Sequence, residues 1–307
     1  MRLNPKQFLD LDAVFSEFES AAVAILPVPY EGGVTWATGT ARGPNAVIEA
    51  SQHLESYDER LKTEPSRMGI VTVMPPNISS DPATMKEVIY QSSKALIQQD
   101  KFVVLIGGDH SVSSVYFKAL YEKFGRLSAI QLDAHSDLRD TYNGSLFSHA
   151  CVMSRIRELT SDTLQIGIRS MSSGEAERIK NENLLVCTMS DYRSGNFDVE
   201  SAIKRLPDPV FITVDVDVFD WSVIRSTGTP EPGGFFWDEA VSLLRKIFME
   251  KNVVGFDVVE LSYSKDDRNS PFAVAKLIYK MLGFKLAAGV NRGLLDWPDK
   301  PRGSLFY

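Results

Sequence analysis

Three apolar runs of this chain each end in acids or a histidine, and that pattern restricts the fold more than any other feature. The run Leu127 to Leu132 passes into Gln131-Leu132-Asp133-Ala134-His135-Ser136-Asp137-Leu138-Arg139-Asp140, so the acids begin where the hydrophobic pattern stops. In an extended segment, residues two apart point the same way. Asp133, His135 and Asp137 are therefore expected on one side, with Ala134 and Ser136 turned to the other. Two carboxylates and an imidazole at that spacing repel or desolvate one another unless a cation lies between them, and a polyvalent metal is the simplest resolution. The plainer alternative is a polar, solvated strand end. A second run, Pro209 to Val214, ends in Asp215-Val216-Asp217-Val218-Phe219-Asp220 and repeats the arrangement. A third, Phe102 to Ile106, ends in Gly107-Gly108-Asp109-His110-Ser111, where the glycines allow a tight turn or a close backbone approach. In an open parallel sheet, ligands bind at the carboxyl ends of the strands, where all three groups would stand.

The rest of the chain alternates strand-like and helical stretches. Strands are expected at Ala21 to Val28, Met68 to Met74, Thr163 to Ile168, Leu184 to Thr188, Val210 to Val216 and Val253 to Val259, besides those at Phe102 and Leu127. Pro27 suggests that the first ends early or lies near a sheet edge. Helices are expected at about Asn45 to Asp58, Ala83 to Gln99 after the cap Asp81-Pro82, Ser111 to Phe124, and from near Ser148. Others follow at Gly174 to Lys180, Val199 to Arg205, Trp237 to Lys251 and Pro271 to Phe284. The glycine-rich segment Tyr30 to Pro44 is long enough to be a functional loop. About eight strands alternating with helices predict an α/β protein of three layers, α/β/α, with a mostly parallel sheet. At 307 residues, with no repeat and no linker, the whole chain reads as one domain, with 1–20 a lead-in and 291–307 a surface tail.

The formal net charge of −7 argues against nucleic acid or an anionic membrane as the main partner and suits a small cationic substrate. The amino terminus lacks a secretory apolar core, and no run reaches the roughly 18 apolar residues of a membrane span. Cys151 and Cys187 have no paired spacing and read as free thiols of a reducing, cytoplasmic setting.

Of the four histidines, His110 and His135 each stand beside an aspartate at a strand end, while His53 reads as an ordinary helical residue. With Asp133, Asp137, Asp215 and Asp217 they would form a hard, oxygen-rich donor set; zinc structural sites favour thiolates, whereas carboxylate with imidazole suits manganese best. Four carboxylates exceed what one divalent ion neutralises, so two Mn2+ sharing carboxylates are the natural count, with other divalent ions left open. Asp109 reads as a residue that fixes a ligand's orientation.

Gly107-Gly-Asp-His-Ser111, Leu132-Asp-Ala-His-Ser-Asp137 and Thr213-Val-Asp-Val-Asp217 resemble the three signature motifs of the ureohydrolases, the arginase and agmatinase family of dimanganese enzymes. Gly228-Thr-Pro-Glu-Pro-Gly-Gly234 and Asp257-Val-Val-Glu-Leu261 agree, so the resemblance runs from about residue 30 to 290. It implies the arginase-like fold and a hydrolase that releases urea and an amine from a guanidino compound. It implies one metal on His110, Asp133, Asp137 and Asp215, and the other on His135, Asp133, Asp215 and Asp217, with Asp137 also orienting the attacking water. Glu260 would pair with the guanidinium, a planar cation that a carboxylate matches by two hydrogen bonds; its alternative is a buried acid satisfied by an arginine. His149, in Phe147-Ser-His-Ala-Cys151, resembles the family's proton-shuttling histidine; its alternative is a polar residue at a helix start.

Within the family, the words around Arg139-Asp140 and Ser148-His-Ala-Cys151 look like the agmatinase branch, where the product is putrescine and the setting polyamine biosynthesis. Arginases carry an asparagine where Arg139 stands and use it on the substrate's α-carboxylate, so its absence counts against arginine. Arg139 instead suits the carboxylate of guanidinobutyrate or guanidinopropionate, while Asp140, Glu175 and Glu177 are candidates to read the distal ammonium of agmatine. Three rivals remain: a deacetylase-type metal site, disfavoured because no two histidines are adjacent; a two-metal phosphohydrolase; and a metal-binding relative without activity. Family members are usually trimers or hexamers, which makes a homo-oligomer the expectation.

Overall fold

A computed structural model of the chain describes residues 2–33, 35–79, 81–294 and 296. In chain order the elements are β1 (Val23–Val28), α1 (Gly43–Ser51), β2 (Ile70–Thr72), α2 (Pro82–Ile97), β3 (Phe102–Gly107), α3 (Val112–Phe124), β4 (Ser128–Leu132) and α4 (Val152–Arg157). There follow β5 (Thr163–Ile168), α5 (Ser173–Asn181), β6 (Leu185–Thr188), α6 (Met189–Ser194), α7 (Val199–Arg205), β7 (Val210–Asp215), α8 (Trp237–Glu250), β8 (Val253–Val259) and α9 (Asn269–Asn291). The eight strands form one sheet in the order β2-β1-β3-β8-β7-β4-β5-β6. Every pairing among them is parallel, where a mostly parallel sheet was expected.

Parallel strands need covered crossovers, so both faces of the sheet are buried and its strands read as near-continuous apolar runs. All residues of β1, β3, β4, β5, β7 and β8 are buried; only the edge strand β6 is partly open. One apolar layer joins the sheet to α1, α7, α8 and α9, and the other joins it to α2, α3 and α4. Phe256 of β8 anchors the first layer, its ring 5.9 Å from that of Phe102 and 6.2 Å from that of Phe248. Truncating such a residue costs about 3–5 kcal/mol.

Several local expectations shift. Pro27 lies inside β1 beside the short edge strand β2, whose register with β1 ends at Thr72, so the missing N–H breaks no ladder. The helix expected to Asp58 stops at Ser51, with His53 exposed in the turn that follows; further on, the Asp58 carboxylate accepts the N–H groups of Arg60 and Leu61 and fixes a second turn. Helix α6, capped by Thr188, was not foreseen, since six residues show no period. Helix α9 continues past Phe284 to Asn291. Within it, Gly283 packs closely against Leu61 and Pro65. In the lead-in, Phe8 and Leu9 are buried and Gln7 pairs with the backbone of Thr72. Most of the proposed surface tail lies outside the described residues.

The chain visits the middle of the sheet last. The crossover from β3 to β4 leaves room for two strands, which β7 and β8 later fill. The adjacent strands β3, β8, β7 and β4 thus bring Asp109-His110, Glu260, Asp215-Asp217 and Asp133 to Asp137 to one edge, although these residues are up to about 150 positions apart in sequence.

Candidate metal centre

At the end of β4, the Asp133 carboxylate accepts the N–H of His135 at 2.6 Å and the Nε2–H of Gln131 at 2.6 Å. The same Gln131 amide also donates to Asp137 at 3.2 Å. The segment does not run on as a strand: Asp137 has φ +52°, left-handed backbone that a residue with a side chain seldom adopts. Asp133, His135 and Asp137 therefore converge as expected, but through a turn instead of strand alternation. Ser136 turns away and donates to Glu175.

After β7 the chain tightens into a 3-10 turn, Val216–Val218, capped by Asp215, whose carboxylate accepts the Asp217 N–H at 2.9 Å. Asp217 in turn accepts the Ala134 N–H at 3.0 Å, which ties the ends of β7 and β4 together. After β3, the His110 N–H donates to Glu260 at 2.7 Å and its Nε2 lies 2.9 Å from Thr213 Oγ1. Its Nδ1 is buried without a hydrogen bond and stands 3.1 Å from Asp137, 3.2 Å from Asp133 and 3.4 Å from Asp215. His135 Nδ1 lies 2.9 Å from Asp217 and 3.7 Å from Asp133, with Nε2 facing Glu231 at 3.9 Å.

Two donor groups result, His110 with Asp133 and Asp137, and Asp133 with His135 and Asp217. In each, the donor atoms lie within 4.8 Å of one another, and Asp133 belongs to both.

Crowded, buried acids hold protons that a cation would replace. Burial, then the neighbouring Asp133 charge, pushes Asp137 up to about 8. Burial with Asp217 and Asp133 raises Asp215 well above the usual carboxylate range. Burial opposes ionisation of Asp133 as well, but its contacts to His110 and His135 hold it below that range. Burial likewise opposes charge on His135, and Asp217 and Asp133 overcome it and push the imidazole up to about 12.

Glu260 has φ +66° and its N–H donates to Gly108, so its carboxylate is aimed by β3 and β8 together. No lysine or arginine among the described residues pairs with it, and burial, then Asp109, raises its pKa well above the usual range. It lines a cleft of about 260 Å³ with His110, His135, Asp137, His149 and Arg139. His149 opens the turn capped by Ser148; its ring meets Tyr142 edge-on at 5.6 Å, and burial lowers its pKa. Arg139 lies 5.2 Å over the Tyr142 ring and 3.7 Å from Glu175.

Asp109, read as orienting a ligand, accepts the N–H of Ser111, next to His110, and that of Gly33, and so also anchors the loop that starts at Tyr30. A Cβ on Gly33 would stand 3.0 Å from Asp109 and 3.1 Å from His149, so the loop passes close to both side chains. Among the candidates for a distal ammonium, Asp140 is exposed and paired with Arg178, Glu177 is exposed, and Glu175 has both oxygens occupied. Gln131, Thr213, Glu175 and Glu231 support the cluster and were not foreseen in that role. A glutamine inside an apolar run, two residues before Asp133, was the signal for Gln131.

Fold and donor set together define a parallel α/β protein with two His/Asp groups able to hold metal ions at one sheet edge. The arginase family model matches residues 21–283, and the chain belongs to that family. It is 37% identical, over 91% of its length and 94% of the relative's, to the N(1)-aminopropylagmatine ureohydrolase of Synechocystis sp.. It is 31% identical, over 92% and 99%, to the agmatinase of Pyrococcus horikoshii. The crystal structure of the agmatine ureohydrolase of Thermoplasma volcanium superposes with a TM-score of 0.84 at 25% identity, covering 94% of this chain and 97% of that one. The chain is thus an arginase-family enzyme akin to agmatine-type ureohydrolases.

Proposed function

We propose that the enzyme hydrolyses agmatine, or a guanidine much like it, to urea and an amine with two Mn2+ ions. His110, Asp133, Asp137 and Asp215 would hold one ion, and His135, Asp133, Asp215 and Asp217 the other. The observation that carries this reading is the pair of donor groups joined at Asp133, with a buried His110 Nδ1 that has no hydrogen bond among three carboxylates. Hard oxygen donors with two imidazoles and no thiolate fit manganese. When bound, the two ions would supply the positive charge that balances the carboxylates and makes a water acidic enough to act near neutral pH.

The protein's own groups do the rest. Glu260, lining the cleft without a cationic partner among the described residues, receives the guanidinium by charge-assisted hydrogen bonds. Asp137 orients the attacking water. Water adds to the guanidinium carbon, the bond to the alkyl nitrogen breaks, and that nitrogen takes a proton. His149, which lines the cleft and whose pKa burial lowers, relays that proton. Arg139 meets the distal end of the substrate.

N(1)-aminopropylagmatine is the second reading, favoured by the relative of that name at 37% identity. The net charge of −7 suits either cation, and we place the enzyme in the cytoplasm as a homo-oligomer, a trimer or hexamer, of single-domain chains. No helix among the described residues is long and apolar enough to cross a membrane. The test is steady-state urea release from Mn2+-loaded protein with agmatine, N(1)-aminopropylagmatine, arginine, guanidinobutyrate and guanidinopropionate. Agmatine or its aminopropyl derivative should lead, and the signal should vanish in His135→Ala and Asp217→Ala. Arginine leading by a wide margin would overturn the substrate reading, and urea release persisting in both variants would overturn the reading of the site.

A further inference from the structure

We infer that Glu175 is a positioning residue for Asp137, acting through the backbone on either side of it; this rests on the metal reading above. Glu175 is buried on α5, and its two oxygens have separate tasks. Oε2 accepts the N–H and Oγ–H of Ser172 at 2.8 and 2.7 Å, closing a capping box at the start of the helix. Oε1 reaches out of the helix to the Ser136 hydroxyl at 2.8 Å and the Leu138 N–H at 3.0 Å, the two residues that flank Asp137.

That grip falls where the chain needs it. The left-handed backbone of Asp137 is strained for a residue with a side chain and persists only where its surroundings over-determine it. Both neighbours are clamped a second time: the Ser136 carbonyl accepts from Gln165 at 2.6 Å, and the Leu138 carbonyl from Arg178 at 2.9 Å, one helical turn beyond Glu175. The Asp137 carbonyl accepts the N–H groups of Met153 and Ser154. Helix α5 thus presents a carboxylate and a guanidinium to one short loop, and the loop aims Asp137 at His110 Nδ1, 3.1 Å away. Helix capping alone explains only one of the two Glu175 oxygens.

The geometry separates the two tasks experimentally. Metal-free wild type, Glu175→Ala, Glu175→Gln, Ser136→Ala and Ser172→Ala are titrated with Mn2+ by calorimetry, and their thermal unfolding is recorded. Glu175→Ala should weaken one ion, that of His110 and Asp137, about 10-fold or more, and leave the ion of His135 and Asp217 nearly unchanged, the size expected for loss of a group that orients a ligand. Glu175→Gln should recover part of the loss, because its amide oxygen can still accept the Leu138 N–H. Ser172→Ala should lower the unfolding temperature while leaving both affinities in place. Should Glu175→Ala not fold, Ser136→Ala removes one arm of the same grip and should weaken the same single ion. Equal weakening of both ions, no weakening, or the same loss in Ser172→Ala would overturn the inference while the metal reading stood. Wild type that takes up no pair of ions would overturn both.

Discussion

The Nε2 of His110 lies 2.9 Å from Thr213 Oγ1, and that contact decides which face of the imidazole looks at the carboxylates. Thr213 sits on β7 two residues before Asp215, so the strand that brings one acid also turns the histidine of another strand. The contact lets Nε2 carry the ring hydrogen and leaves the Nδ1 lone pair for a cation.

Thr213→Val, nearly equal in volume, removes that partner and leaves a buried imidazole nitrogen unsatisfied. Mn2+ affinity should fall about 10- to 100-fold, the range for loss of a group that orients a metal-binding histidine. Calorimetric titration checks it; unchanged affinity would show that packing alone holds the ring.

Glu260→Gln keeps the shape and removes the charge that the proposed function sets against the guanidinium. A hydrogen bond to a charged group contributes about 1.5–3 kcal/mol, so kcat/KM should drop roughly 10- to 150-fold. Mn2+ binding should change little, since the amide oxygen of the variant side chain can still accept the His110 N–H. Urea-release kinetics beside a metal titration separate the two effects.

The metal-free and metal-loaded forms should respond to pH differently. Asp137, raised to about 8 by burial and Asp133, binds a proton in the fold that an unfolded aspartate has released, so stability of the metal-free form falls as pH rises from about 4 to about 8. His135, raised to about 12, adds stability that is complete below the ordinary histidine range and fades as pH climbs toward that value. Bound cations displace these protons, so the gain in unfolding temperature on adding Mn2+ should grow over the same interval. Thermal scans from pH 5 to pH 9 with and without Mn2+ test both limbs, and parallel curves would contradict the argument.

Arg139, over Tyr142 and beside Glu175, is the one arginine or lysine among the described residues that line the cleft, and the proposed function sets it against the distal end of the substrate. Arg139→Ala should lower kcat/KM for guanidinobutyrate at least about 10-fold more than for agmatine, because only the former has a carboxylate to lose its partner. Equal losses for both would mean that Arg139 shapes the cleft without reading charge.

Much of this enzyme was legible in the order of its residues. Strands Thr163–Ile168 and Val253–Val259 and helix Val199–Arg205 fall where the pattern puts them, because burial on both faces writes an unbroken apolar run and capping acids mark helix starts. The acids and histidines at three strand ends named the chemistry, since few other arrangements tolerate so many like charges together. What only the tertiary structure decided is geometry between distant segments. Strand order places β8 and β7 between β3 and β4, so Glu260 and His110 meet across 150 positions of sequence. The left-handed turns at Asp137 and Glu260 leave no mark in a pattern of periods, because the contacts that hold them come from other elements, α5 for one and β3 for the other. A sequence specifies which groups want to be buried or capped; which of them stand within reach of one another is fixed only when the whole sheet has closed around them.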